Sequence, residues 1–398
     1  MTKAPLWTKR FVAIILANGL LFASFQCLLP TMPMYAASLG ASGLELGIIS
    51  GIFGVSSICI RFFTDNLVAR LGKKKCLYLG LFFSLAAAAA YAYFISIAML
   101  TAARIVQGLG FGLGSTFAAA LAVDIIPSSR RGEGLGYFST SNAVAMGIAP
   151  AAGVSLLTGL GSDALFGFSF LTAALAMVCA FFSNESLSAI RRTRRMTQTK
   201  VSWKNRFFES GTGFPAFFTM LFGFSYGSVN TFVAMMAQEA HIERAGLFFV
   251  VGTFFVFATR TFGGRVYDRK GPIWVLLPGI IAYAVAAFII IHASSFIMLM
   301  TASVFYGTGA GLIMPSLMTW LFNAALPERR SNASATYYNM LDVGTCIGII
   351  GLGSAAASIG YIKMYYFVLA AMLIFLVVFL VQHILKLGAY QRKEISHV

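Results

Sequence analysis

Residues 61–75, RFFTDNLVARLGKKK, and residues 260–271, RTFGGRVYDRKG, are two versions of one charged stretch set into an otherwise apolar chain. Arg61 and Arg260, Arg70 and Arg269, and Gly72 and Gly271 each lie 199 residues apart. The same offset lays QGLGFGLG (107–114) on YGTGAGLI (306–313), and one residue more lays Pro127 and Arg130 on Pro327 and Arg330. A sequence written twice implies a fold built twice.

The surroundings of these stretches set the solvent. Of 398 residues 59% are hydrophobic and 11% charged, a balance too apolar for an ordinary soluble domain. A bilayer core about 30 Å thick takes roughly 20 apolar residues per helix. Twelve such spans are expected, at 11–34, 44–69, 76–95, 97–126, 133–159, 164–183, 212–238, 246–267, 273–292, 296–325, 332–360 and 364–387. The first follows Lys3, Lys9 and Arg10 but is long and lacks a small-residue cleavage site, so it reads as a membrane helix and not a secretory leader.

The formal charge of +16 invites a nucleic-acid reading, and the distribution of the cations excludes it. With both termini on one side, 26 of the 29 Lys and Arg fall in segments on that side; Arg244 and Lys363 fall outside and Arg104 within a span. This is the positive-inside pattern, and it places both ends in the cytoplasm, against the anionic lipids of the inner leaflet. The five cysteines stand singly and the four histidines form no cluster, so neither a disulfide frame, nor a metal site, nor a cofactor is expected. GLGFGLG (108–114) runs inside an apolar helix without a preceding strand, and such glycines serve close helix contact instead of a dinucleotide.

The expected fold is therefore an all-α membrane protein of twelve transmembrane helices in two pseudo-symmetric six-helix bundles. Residues 1–183 form the first, 211–398 the second, and the basic segment 184–210 a cytoplasmic linker. Two repeats that rock around a central site have a transporter's architecture. The repeated charged stretch also resembles the signature loop of the major facilitator superfamily. Gly264, Asp268, Arg269 and Gly271 fit that pattern, whereas Asp65 and Ala69 stand where its glycine and aspartate are expected. LLPTMP (28–33), RIVQGLGFG from Arg104 and RRGEGLG from Arg130 resemble motifs of the drug:proton antiporter branch, and GIAPAAG from Gly147 has Ala149 where that branch has glycine. The resemblance implies a proton-coupled exporter.

Intramembrane charges are costly and mark function. Asp342 lies ten residues beyond Asn332, about 15 Å into its helix. It reads as a carboxylate that gains and loses a proton, or as a hydrogen-bonded packing group; DVGTCIG from Asp342 also resembles the eleventh-helix pattern of some bacterial exporters. Arg104 reads as a cavity cation or as a donor to backbone carbonyls. Asn18, Phe22 and Gln26 share one helix face, as do Phe222, Tyr226 and Asn230, and these faces are expected to line the cavity or to bond neighbouring helices. Near the basic side, Lys73 and Arg70 face Asp124 as a candidate latch, and Asp268 is expected to reach the start of the fifth span near Arg130. Asp65, Arg265 and Arg269 complete the gating set. No nucleophile and base are recognisable, so an enzyme is not expected. The leading expectation is a monomeric antiporter exporting a small hydrophobic or amphipathic compound against protons. A narrow carrier of a metabolite such as a metal chelator or sugar, and a non-transporting receptor or scaffold, are the alternatives.

Overall fold

The apolar runs have one way to satisfy their backbone in lipid, which is to coil. The computed structural model describes residues 5–93, 96–127, 130–183, 211–325 and 330–395, and these form fourteen helices. The expected linker 184–210 lies outside the described residues. In the first half the helices are α1 (Lys9–Gln26), α2 (Leu28–Ser38), α3 (Gly43–Arg61), α4 (Thr64–Leu71), α5 (Lys73–Tyr91), α6 (Ile97–Ile125), α7 (Arg131–Gly159) and α8 (Ser162–Phe181). The second half holds α9 (Gly213–Glu239), α10 (Leu247–Lys270), α11 (Ile273–Ile291), α12 (Phe296–Ala324), α13 (Arg330–Ile359) and α14 (Tyr361–Ile395).

Among the described residues eleven helices are long and apolar enough to cross a membrane, with α1 and α2 counted as one. The expected third span is α5, whose first turn is Lys73, Lys74 and Lys75, and these dilute its apolar run. The first span breaks at Cys27, because Pro30 and Pro33 lack the N–H groups that would bond Gln26 and Leu29. Around the break, the Thr31 hydroxyl donates to the Cys27 carbonyl at 2.7 Å. The second span ends at Arg61, and residues 64–71 form a separate short helix; its mate in the second half stays one helix down to Lys270. Thus RTFGGRVYDRKG is helical down to Lys270, with Gly271 as its cap, and not a loop. Gly72 and Gly271 end these segments at φ 81° and 89°, where an L side chain is strained.

The 199-residue offset holds in three dimensions. The N-caps of α6 and α12 are Ser96 and Ser295, each accepting from the N–H three residues on at 3.3 Å. A Cβ placed on Gly110 would stand 2.7 Å from the Gly80 carbonyl oxygen, and one on Gly309 would stand 2.9 Å from that of Gly279. Contacts between the halves obey the same offset. A Cβ on Gly47 of α3 would meet the Ile350 oxygen of α13 at 2.7 Å, and one on Gly246 beside α10 would meet the Ala151 oxygen of α7 at 3.0 Å. Gly54 abuts Cys346 as Gly147 abuts Thr253. Hence α3 crosses α13 as α10 crosses α7, with backbones close because the residues between them are small.

These approaches gather at the end of the molecule away from the basic stretches, where α2 also packs on α9. One apolar cluster joins Met32, Leu46, Ile49, Leu100 and Val154 of the first half to the second half. At the basic end the first half keeps a cluster of its own, with Phe11, Ile14, Leu77, Leu121 and Phe138.

Candidate functional site

Asp342 lies twelve residues into α13, about 18 Å from its start. There it does not stand alone. The Arg61 guanidinium, at the last residue of α3, donates through Nη1 to Asp342 Oδ2 in a close ion pair. The partners come from opposite halves, and their side chains remain 26% and 31% exposed. The expected span 44–69 contains Arg61, yet in the sequence its charge reads only as part of the basic stretch 61–75; the structure sets it at the very end of the span. Beyond the pair, Cys346 is buried with its Sγ 3.8 Å from the Gly51 carbonyl, so one face of α13 carries both the charge contact and the tight packing.

The two expected polar faces are found in different settings. Asn18 is buried, and its amide donates to Ser141 Oγ at 3.1 Å and to Asn142 Oδ1, tying α1 to α7 within the first half. Phe22 packs on Phe111 at 5.0 Å, and the buried Gln26 Oε1 has no hydrogen-bond partner among the described residues. In the second half, Phe222 stacks on Tyr226 at 5.6 Å and Tyr226 on Tyr306 at 6.2 Å. The Asn230 amide donates to the Tyr226 carbonyl and to the Tyr306 hydroxyl, both at 2.7 Å. Tyr283, 5.5 Å from Tyr306, completes an aromatic wall of α9, α11 and α12 that sequence spacing alone left unassembled.

Arg104 is 0% exposed. Its Nη2 donates to the Leu28 carbonyl at 3.1 Å and its Nη1 to Gln107 Oε1 at 2.9 Å, and the group lies 5.6 Å over the Phe53 ring. Tyr91 donates to the same Gln107 oxygen at 2.8 Å. Of the two readings of Arg104, this geometry matches the donor to a backbone carbonyl, placed beside the break in the first span.

At the basic end the Lys73 ammonium pairs with Asp124 at 2.5 Å. Both belong to the first half, so the pair ties α5 to α6 and does not bridge the halves. Arg130 and Asp268 are not brought together. Arg130 holds Glu133 of its own turn through two contacts, Nη2 to Oε1 at 2.7 Å and Nε to Oε2 at 2.9 Å, while Asp268 is exposed. The i,i+3 carboxylate satisfies locally the cation that Asp268 was expected to seek. Arg70, Arg265 and Arg269 are exposed as well, and Asp65 lies in α4.

What this arrangement offers is an intramembrane acid and base held across two repeated bundles. The profile of the Major Facilitator Superfamily matches residues 14–243 and again 215–393, the two matches together spanning nearly the whole chain. The chain belongs to the Major Facilitator Superfamily. Within this superfamily it is similar to the uncharacterized MFS-type transporter MJ1560 of Methanocaldococcus jannaschii, at 22% identity over 348 residues, covering 85% of this chain and 89% of that protein. It is similar also to the quinolone resistance protein NorA of Staphylococcus aureus, at 21% over 350 residues, covering 84% and 87%. The fold matches the crystal structure of the nucleoside transporter NupG with a TM-score of 0.75 at 13% identity, over 94% of this chain and 99% of that one. That of a POT family transporter matches with 0.74 at 13%, over 93% and 95%. The protein is accordingly an integral membrane protein with the fold of a superfamily of transporters.

Proposed function

We propose that the protein exports a small amphipathic organic compound across the cytoplasmic membrane in exchange for protons. Residues 1–183 and 211–398 are the two bodies that rock, joined through 184–210. The basic end, with both termini, faces the cytoplasm and its anionic lipids, so that the halves described above are closed on the outside. The observation that carries this reading is the Arg61–Asp342 pair, an ion pair between the halves at intramembrane depth that is still partly open to solvent.

A proton taken up by Asp342 would remove its charge and leave Arg61 a bare cation. The contact that fixes α3 against α13 then turns from attractive to unfavourable. Neutralising one partner of a fully buried pair costs about 3–5 kcal/mol because the other charge is left uncompensated, and partial exposure lowers this to the order of 1–3 kcal/mol. Deprotonation re-forms the pair and restores the arrangement seen here. Similarity to the resistance protein NorA supports the direction, outward, and the class of cargo.

The test is transport by purified protein in proteoliposomes carrying an imposed pH gradient and an amphipathic dye. Wild-type protein is expected to accumulate the dye in response to the gradient. Asp342→Asn is expected to keep downhill exchange and lose the response to pH. An Asp342→Asn protein with the parental pH dependence would remove Asp342 from coupling.

A further inference from the structure

The Arg61–Asp342 pair has a pseudo-symmetric mate with one partner missing. At an offset of 199 residues, Arg61 corresponds to Arg260 of α10, and Asp342 corresponds to position 143 of α7. The chain has Ala143 there. The correspondence is spatial, because Gly54 against Cys346 is repeated as Thr253 against Gly147, and Gly47 against Ile350 as Gly246 against Ala151. Continuing each crossing by one to two turns reaches Arg61 and Asp342 on one side and Arg260 and Ala143 on the other. One crossing keeps a cation and its acid; the other keeps the cation alone.

Arg260 is no loop residue. It precedes the end of α10 by ten residues, which puts it about 15 Å along the helix from the basic end. It is exposed and, among the described residues, has no hydrogen-bond or ion-pair partner. Its guanidinium acts electrostatically on Tyr226 of α9 and on Tyr337 and Tyr338 of α13. Tyr338 also feels Arg61 and Asp342, so two cations and one acid act on that ring. An unpaired guanidinium at this depth is unfavourable, and an oxyanion with two oxygens side by side, as in a carboxylate or a sulfonate, is the partner that its fork of donors fits best.

We propose that the cargo is an aromatic organic anion, a carboxylate or sulfonate, whose acid group pairs with Arg260 in the place left by the side chain missing at position 143. Its ring lies against the half-buried Tyr226 and the exposed Tyr338. The inference rests on the transport reading above and names its substrate class.

Isothermal titration of the detergent-purified protein with naphthalene-2-sulfonate and with 2-naphthylmethylammonium separates the possibilities. The sulfonate is expected to bind wild type at least about tenfold more tightly than the ammonium, the scale of one charge-assisted hydrogen bond. Arg260→Gln is expected to abolish this preference, Arg260→Lys to retain part of it, and Arg10→Gln, at an exposed site outside the cleft, to leave it intact. Ala143→Asp supplies the missing acid and is expected to weaken the sulfonate as Arg260→Gln does, with an unfolding temperature no lower than wild type. Tighter binding of the ammonium, or an unchanged sulfonate affinity in Arg260→Gln, would overturn the proposal whether or not Ala143→Asp folds. Flux of the sulfonate that follows Arg260 but ignores the pH gradient sinks proton exchange and keeps the anion site. Gradient-driven flux of the ammonium alone does the reverse.

Discussion

At the scale of single residues, the charges inside the bilayer divide into those that are satisfied and those that are held ready. Arg104 is largely satisfied: a backbone carbonyl and an amide oxygen take up its two terminal nitrogens and an aromatic face lies under the group, while its buried Nε has no partner among the described residues. Lysine has one compact ammonium that cannot serve all three, so Arg104→Lys is expected to destabilise the fold by about 2 kcal/mol, read from denaturation in detergent, against almost nothing for the exposed Arg70→Lys. Among the described residues, the side chains of Arg61 and Asp342 are satisfied only by each other. A double-mutant cycle of Arg61→Ala and Asp342→Asn is expected to give a coupling energy of about 1–3 kcal/mol, and strictly additive losses would show that the contact does no energetic work. Asp342 was legible in the sequence because an acid so far from any helix end is costly to place. Arg61 was not, because it lies within the expected span 44–69 yet opens the basic stretch 61–75, and the sequence alone does not tell a cation of that stretch from one that pairs across the halves. Its depth is fixed by a partner 281 residues away. Likewise the expected contact of Asp268 with Arg130 failed because Glu133, three residues from Arg130, is the nearer acid.

At the scale of helices, most of the bounds of the expected spans agree with the structure to within a few residues, since apolar length fixes them, while eleven of the twelve expected spans are long and apolar enough to cross a membrane among the described residues. It yielded less where the backbone departs from that rule. Two prolines break the first span at Cys27, and α14 runs on to Ile395, beyond its apolar part, where residues such as Leu387, Ala389, Gln391, Arg392 and Lys393 favour helix without being apolar enough to mark a span. The repeat showed which glycines correspond, but a periodic pattern cannot say which helix of the other half each one meets. The crossing of α3 and α13 is a test case. A leucine at Gly47 would drive into the Ile350 backbone, so Gly47→Leu is expected to hold these helices apart at the end away from the basic stretches. In a protein whose sole cysteine is Cys346, now buried against Gly51 and Gly54, alkylation by a small maleimide is expected to rise severalfold on that substitution; unchanged labelling would place the close approach elsewhere.

At the scale of the whole molecule, the halves are joined at one end and keep separate cores at the other, which is the condition for rocking as rigid bodies. Spin labels at Leu71 and Lys270 report the basic end, and labels at Leu39 and Glu243 the opposite end; all four positions are exposed. Lowering the pH in the presence of cargo is expected to shorten the first distance and lengthen the second, as measured by pulsed dipolar spectroscopy. Two distances that change together in the same direction would describe breathing instead of alternation. The crossings that obey one offset carry a further meaning. Each half offers its sister the same surface that it receives, which is the isologous contact of a twofold homodimer. Covalent fusion of such an ancestral pair frees every position to diverge on one side alone, a liberty that identical subunits never have. Asp342 opposite Arg61, with Ala143 at the matching position of the other crossing, is the form that liberty takes here: joining two equal halves into one chain allowed one crossing to keep an acid beside its arginine and the other to do without one.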